Sequence, residues 1–237
     1  MSLKPEDAAV LIAQTRSANT VLVGGQAVAF WVDYFDIASR LPALTKDIDY
    51  LGTQKEAKLA AKRLTFPHKL KVATLDDPPP NTALLSVAVQ GYAEPVLIDY
   101  LSGIVGLDSK QVARSAVTIE FEEEHLRVIH PLQLLQSKIW NLYQLTEKRT
   151  PEGVEQARLA IEIARAFIAK QSGMGQRELL KAVEAVGKFA ATAPARYVRD
   201  NYGLDCLSAI PEAVLKEGVL PQAFHEKRWP QIIAAAS

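Results

Sequence analysis

The apolar pattern of the chain changes character at His130-Pro131, and that change decides what can be built from it. Upstream, short runs with period two alternate with runs at helical spacing; downstream, only helical spacing is found. Strands are predicted at 21–23, 47–51, 69–74, 83–90, 95–101, 115–121 and 125–129, and helices at 5–16, 26–36 and 54–64. Arg40–Thr45, punctuated by Pro42, and Asp76–Asn81, with its three consecutive prolines, read as loops. Beyond the break, helices are predicted at 132–145, 152–171 and 175–190, with shorter ones after. Pro151 behind Thr150 suits a first helical position, and Gly173 and Gly175 bracket a break between helices. The expectation is an α+β chain: a mixed sheet flanked by helices in residues 1–130, then an all-helical domain in 131–237. No internal repeat is evident.

Composition narrows the function classes. Lysine plus arginine and aspartate plus glutamate number 27 each, so any anion site must be local rather than a property of the whole surface. No apolar run approaches the roughly 20 residues needed to span a bilayer. The single cysteine, Cys206, excludes an intrachain disulfide, and no Cys/His set has zinc spacing. Pro5, Glu6 and Asp7 interrupt any basic-then-apolar leader pattern, so the default expectation is a cytoplasmic protein.

The informative segments are Val21-Leu22-Val23-Gly24-Gly25 and Thr45-Lys46-Asp47-Ile48-Asp49-Tyr50-Leu51. A strand running into two glycines lets the backbone turn sharply and approach a ligand closely. A helix starting there would present free N–H groups that favour phosphate. Asp47 and Asp49, two apart on a strand, direct their carboxylates to one face, roughly 7 Å apart along the backbone. Two such carboxylates repel unless a cation lies between them, and magnesium takes a few carboxylates together with water and phosphate oxygens. Val96-Leu97-Ile98-Asp99-Tyr100-Leu101, an apolar strand interrupted by one acid, supplies a third candidate ligand. Asp99 would be costly to bury without a partner.

Strand, Gly-Gly, helix, Asp-hydrophobic-Asp and a later strand aspartate together resemble the DNA polymerase β-like nucleotidyltransferase superfamily. The nearer resemblance is to the bacterial abortive-infection nucleotidyltransferases that serve as toxins in type IV toxin–antitoxin pairs. It rests on Leu44-Thr45-Lys46-Asp47-Ile48-Asp49 and on His130-Pro131-Leu132-Gln133-Leu134-Leu135-Gln136-Ser137-Lys138, and covers residues 20–145. Twenty-one residues separate Gly25 from Asp47, more than in the minimal motif, and Gln26 stands where a small or hydroxyl residue is usual. The basic-then-aspartate signature of the following helix is missing.

The resemblance implies a nucleotidyltransferase fold for the N-terminal domain and transfer of a nucleoside monophosphate from an NTP to an acceptor hydroxyl of tRNA or protein. Asp47, Asp49 and Asp99 would be both catalytic and metal-binding, holding Mg2+ or Mn2+. Gly24, Gly25, Thr45, Lys46 and Lys138 would contact the triphosphate, and a cognate antitoxin would be a partner. Two other readings remain beside it, a nucleotide-binding partner without turnover and a small-molecule nucleotidyltransferase.

Other features have plainer readings. Lys55, Lys58, Lys62, Arg63, Lys69 and Lys71 face one acid, Glu56, and fit a charged outer helix face better than an RNA footprint. Glu120–Glu124 reads as a solvated turn, and His130 as a residue that shapes its turn. Cys206, Phe30 and Trp31 read as core, and Lys138, on an otherwise apolar helix, could simply reach out to solvent.

Overall fold

A computed structural model describes residues 3–38, 45–74, 76–77, 80–121, 124–171, 173 and 175–236. Part of the Arg40–Thr45 and Asp76–Asn81 loops, and Glu122 and Glu123 of the acidic run, lie outside the described residues. The chain divides into two compact units: Met1–Phe30 with Ser39–His130, and Trp31–Ala38 with Pro131–Ser237.

The first unit contains helices α1 (Pro5–Thr15), the start of α2 (Gly24–Tyr34), α3 (Gln54–Arg63) and α4 (Ser109–Ser115). Its strands are β1 (Val21–Val23), β2 (Ile48–Leu51), β3 (His68–Val72), β4 (Asn81–Val87), β5 (Val96–Leu101), β6 (Val117–Phe121) and β7 (Glu124–Val128). Among the described residues they form a seven-stranded sheet in the order β3-β4-β5-β2-β1-β7-β6. It is mixed, with β2 and β5 parallel, β1 and β7 parallel, and the other neighbours antiparallel. Local chemistry sets the helix starts. Pro5 opens α1 with Glu6 and Asp7 in its first turn, where the helix dipole favours negative charge. Thr53 and Glu56 form a capping box on α3.

Several boundaries differ from the sequence reading. The helix after β1 starts at Gly24 and not at residue 26, so the two glycines form its first turn. Asp47 precedes β2, which begins at Ile48. Ser109–Ser115, for which the sequence predicts no element, is a helix capped by Asp108, whose side chain accepts from Gln111 N at 2.8 Å.

The sheet has one dry face and one half-open face. Ile48, Tyr50, Ala83, Leu85, Val87, Ile98 and Tyr100 are buried and share one side. The last turn of α1 meets that side: Tyr100 Oη donates to Thr15 O at 3.0 Å, and the Tyr50 hydroxyl shares a hydrogen bond with Thr15 Oγ1 at 3.2 Å. α3 packs on β3, β4 and α1.

The second unit holds α5 (Pro131–Gln144), α6 (Pro151–Gln171), α7 (Gln176–Ala190), α8 (Ala193–Tyr202) and α9 (Trp229–Ala236), with short 3-10 turns and one π-helical turn, Phe224–Arg228. It contains no strand among its described residues. Its core runs from Leu135, Ile139 and Leu142 through Ala157, Ile161 and Ala164 to Val183 and Val198, and includes buried Cys206. Burial pushes the Cys206 thiol up to about 12, which marks it as an inert packing group. Trp31, Tyr34 and Phe35 join this unit because their rings pack together and Lys170 of α6 stands 4.7 Å from the Tyr34 ring centre while donating to its hydroxyl at 3.0 Å.

Candidate active site

The half-open face of the first unit carries the acids. β2 and β5 are in register over Ile48↔Ile98, Asp49↔Asp99, Tyr50↔Tyr100 and Leu51↔Leu101. The same four residues, Ile-Asp-Tyr-Leu, therefore lie side by side on parallel neighbours. Side chains of registered residues share a face, so Asp49 and Asp99 stand next to one another on strands about 4.8 Å apart. Asp47 lies two residues before Asp49 and is, like it, half-buried, between the exposed Lys46 and the buried Ile48. The row continues through Val23 on β1, and through Leu84 on β4 to the exposed Lys71 on β3.

The two glycines close this row. Gly24 has φ +67°, and a Cβ built there would meet Asp49 Oδ2 at 1.9 Å. The Asp49 carboxylate thus occupies the space that any side chain at position 24 would need. A Cβ at Gly25 would meet Thr45 Cβ at 2.7 Å. Thr45 in turn is bound to Asp47, donating from Oγ1 to Asp47 O at 3.2 Å and accepting from Asp47 N at 3.3 Å. Gly24 is fitted to Asp49 and Gly25 to Thr45, so the strand-to-helix turn and the two aspartates are shaped together.

Of the residues singled out in the sequence, Gly24, Gly25, Thr45, Asp47, Asp49 and Asp99 are brought together in the first unit. Lys46 is exposed and lines a neighbouring cavity with Asp47. Lys138 belongs to the second unit; it is buried and donates to Gln156 Oε1 on α6 at 2.7 Å, so its ammonium does not reach out to solvent. The basic stretch 55–71 divides. Lys55, Lys58 and Lys62 are exposed on α3, whereas Lys69 and Lys71 are exposed on the acidic side of β3.

Two residues near the acids escaped the sequence reading. Asn81, at the start of β4, directs Nδ2 to Asp99 Oδ1 at 3.5 Å. Tyr92 donates to Asp7 Oδ2 at 2.6 Å and accepts from Lys4 N at 2.9 Å, fixing the turn before β5 against α1. The repeated Ile-Asp-Tyr-Leu was a signal for the pairing of β2 with β5; nothing in the sequence marks Asn81 or Tyr92.

Among the described residues, no three His, Cys, Asp or Glu side chains form a ready-made metal cluster. Magnesium does not require one. It takes one or two carboxylates and completes its octahedron with water and phosphate oxygens, which suits the donors here. No helix among the described residues is long and apolar enough to cross a membrane.

No family model matches the chain, and no curated protein matches it. Two solved structures from Helicobacter pylori are similar to it. One is JHP933, at 12% identity and TM-score 0.41, with 98% of this chain and 97% of that one covered. The other is a proposed nucleotidyltransferase, also at 12% identity and TM-score 0.41, with 95% of this chain and 97% of that one covered. Likenesses of this strength assign neither a fold family nor an activity to the chain.

Proposed function

We propose that the chain is a metal-dependent nucleotidyltransferase, moving a nucleoside monophosphate from an NTP to an acceptor hydroxyl. The observation that carries this reading is the in-register pair Asp49 and Asp99 set against the glycine turn that opens α2. Carboxylates beside a helix start whose amides favour phosphate are the parts a triphosphate site needs.

Asp47, Asp49 and Asp99 would hold Mg2+ or Mn2+. When bound, the ion supplies charge neutralisation at the triphosphate and favours the ionised form of the acceptor hydroxyl. The first-turn amides of Gly24 and Gly25, with Thr45 and Lys46, bind and orient the phosphates. Asp99 accepts the acceptor's proton on a carboxylate oxygen. The acceptor oxygen bonds to the α-phosphorus, the bond from that phosphorus to the α–β bridging oxygen breaks, and pyrophosphate leaves with the electron pair. A toxin role paired with an antitoxin would follow if the acceptor is tRNA or protein.

A second reading is favoured by the closeness of Asp49 to the first turn of α2. A carboxylate there stabilises a helix through its dipole without any chemistry, and the chain would then bind a nucleotide or partner without turnover.

Transfer from α-labelled ATP, CTP, GTP and UTP with magnesium or manganese, onto tRNA, cell protein and small hydroxyl compounds, separates the two. Label with wild type and none with Asp47→Ala/Asp49→Ala is the expected result. Metal-dependent NTP binding without label on any acceptor favours the second reading, and no NTP binding sinks the enzyme reading.

A further inference from the structure

β4 leaves its regular ladder beside the acids. Asn81 pairs with Leu101 and Ala83 with Tyr100, so β4 advances two residues where β5 advances one, and Thr82 is the extra residue of a β-bulge. In an unbroken ladder from Ala83, Asn81 would fall opposite Ser102, on the tyrosine side of the sheet. The bulge turns it to the side of Leu101 and Asp99, where its Nδ2 stands 3.5 Å from Asp99 Oδ1. Resting on the nucleotidyltransferase reading above, we propose that Asn81 is a positioning residue for the metal site: its amide fixes the plane of the Asp99 carboxylate for the ion without adding charge.

Three observations support it. The bulge is held on both sides. Thr82 Oγ1 donates to Tyr100 O at 2.8 Å, Ala73 N donates to Thr82 O at 2.9 Å, and Pro80 O accepts from Ser102 N at 2.8 Å and from Ser102 Oγ at 3.0 Å. The backbone around Asn81 is thus fixed while its side chain is exposed, so packing does not account for its turn toward Asp99.

The second observation is the type of donor. A row of carboxylates that takes a cation needs a partner that orients one acid and leaves its charge to the ion. A lysine or arginine would pair with Asp99 and compete with the metal, whereas an amide N–H holds a carboxylate oxygen and stays neutral. At 3.5 Å the bond is long, of the kind that the reacting complex tightens. Hydrogen-bond partners of metal-ligating side chains fix the ligands' orientation, and losing one costs roughly 10–100-fold in metal affinity or activity.

The third observation concerns the cation of the same row. Lys71 lies two strands from Asp99, roughly 10 Å away. Its Nζ is paired instead with Asp77 Oδ1 at 2.7 Å, and Asp77 Oδ2 accepts from Thr74 N at 2.9 Å and from Thr74 Oγ1 at 3.0 Å. The neutral amide faces the acid, and the ammonium is held elsewhere.

The test follows NTP binding to the whole chain by calorimetry at stepped Mg2+ concentrations, with whichever of the four NTPs binds wild type, and urea unfolding alongside. In Asn81→Ala the Mg2+ concentration for half-maximal binding should rise at least tenfold. NTP affinity at saturating Mg2+ should stay within twofold, and the urea midpoint should not move. Asn81→Lys keeps a donor and adds charge, and should raise the Mg2+ requirement at least as much. A requirement within twofold of wild type in Asn81→Ala overturns the proposal. So does wild-type behaviour of Asn81→Lys, which would show that any donor serves. Loss of NTP affinity that persists at saturating Mg2+ overturns it too, by placing Asn81 against the nucleotide itself. Failure of wild type to bind any NTP at any Mg2+ concentration is a different result and removes the nucleotidyltransferase reading on which the proposal rests.

Discussion

The tetrapeptide Ile-Asp-Tyr-Leu occurs at 48–51 and at 98–101, and the two copies lie in register on parallel strands. One face of this pair holds Tyr50 and Tyr100, both fully buried, with ring centres 5.5 Å apart and hydroxyls bonded to Thr15. The opposite face holds Asp49 and Asp99, half-buried and fitted against a glycine turn. The backbone is the same, so the difference lies in what each face is for. The tyrosine face satisfies its polar atoms internally and excludes water. Burial accordingly pushes both phenols well above their ordinary range, where they cannot titrate as acids or bases near neutrality. The aspartate face keeps charge where water and a ligand can reach it.

The comparison breaks most easily at Asp49. Asp49→Asn keeps the shape against Gly24 and removes the charge. We expect nucleotidyl transfer to fall at least about a thousandfold, on the order of 4 kcal/mol at the transition state. The midpoint of urea unfolding should move by less than about 1 kcal/mol equivalent, because the amide keeps the fit against Gly24. Transfer within tenfold of wild type would mean that the two faces do not differ in the way argued.

Acid offers the next largest effect and needs separating from the site. Burial pushes the His130 imidazole down to about 4, so the fold keeps it neutral while the unfolded chain protonates it near 6.5. The unfolded state therefore binds more protons, and stability is full above about pH 6.5 and falls as the pH drops toward 4. The shift corresponds to about 3 kcal/mol. Urea unfolding of wild type and His130→Gln at pH 7 and pH 4 should show that difference in pH dependence between them. Equal dependence would assign acid loss to the carboxylates instead.

The acidic face was legible in the sequence because its signals are local: a glycine pair after a β-branched run, two aspartates at period two, and one acid in an apolar strand. Pairing was not legible as geometry, since the contact of Asp49 with Asp99 joins residues fifty apart and is fixed by strand order. Asn81 reaches Asp99 only through the β4–β5 ladder, and Tyr92 matters through Asp7 and Lys4. α4 was missed because seven residues with one buried side chain, Val112, carry almost no period. The start of α2 was misplaced because glycine is a poor helix former, and here the demand for space beside Asp49 overrides propensity. Trp31–Ala38 reads as the continuation of its helix, whereas in the structure it belongs to the second unit, where Lys170 meets the Tyr34 ring.

That override gives the third prediction. Gly24→Ala adds a Cβ at φ +67° into the Asp49 carboxylate, and should cost about 2 kcal/mol of stability. In Gly24→Ala/Asp49→Ala the carboxylate is gone and only backbone strain remains. The double variant should therefore be about 1 kcal/mol more stable than the sum of the single changes. Additive losses would show that Gly24 serves its backbone angle alone and is not shaped to the aspartate.

The smallest expected effect lies on the dry face. Tyr100→Phe removes the hydroxyl that donates to Thr15 O and leaves the ring in place. One buried hydrogen bond is worth about 1 kcal/mol net, so thermal and urea unfolding should register a loss of that size. Transfer should remain at the wild-type level, because the phenol stands on the far side of the sheet from the acids. A loss of transfer much larger than the loss of folded protein would mean that the tyrosine row holds the aspartate row in position. The two faces would then have to be treated as one device, with β5 as the element that couples them.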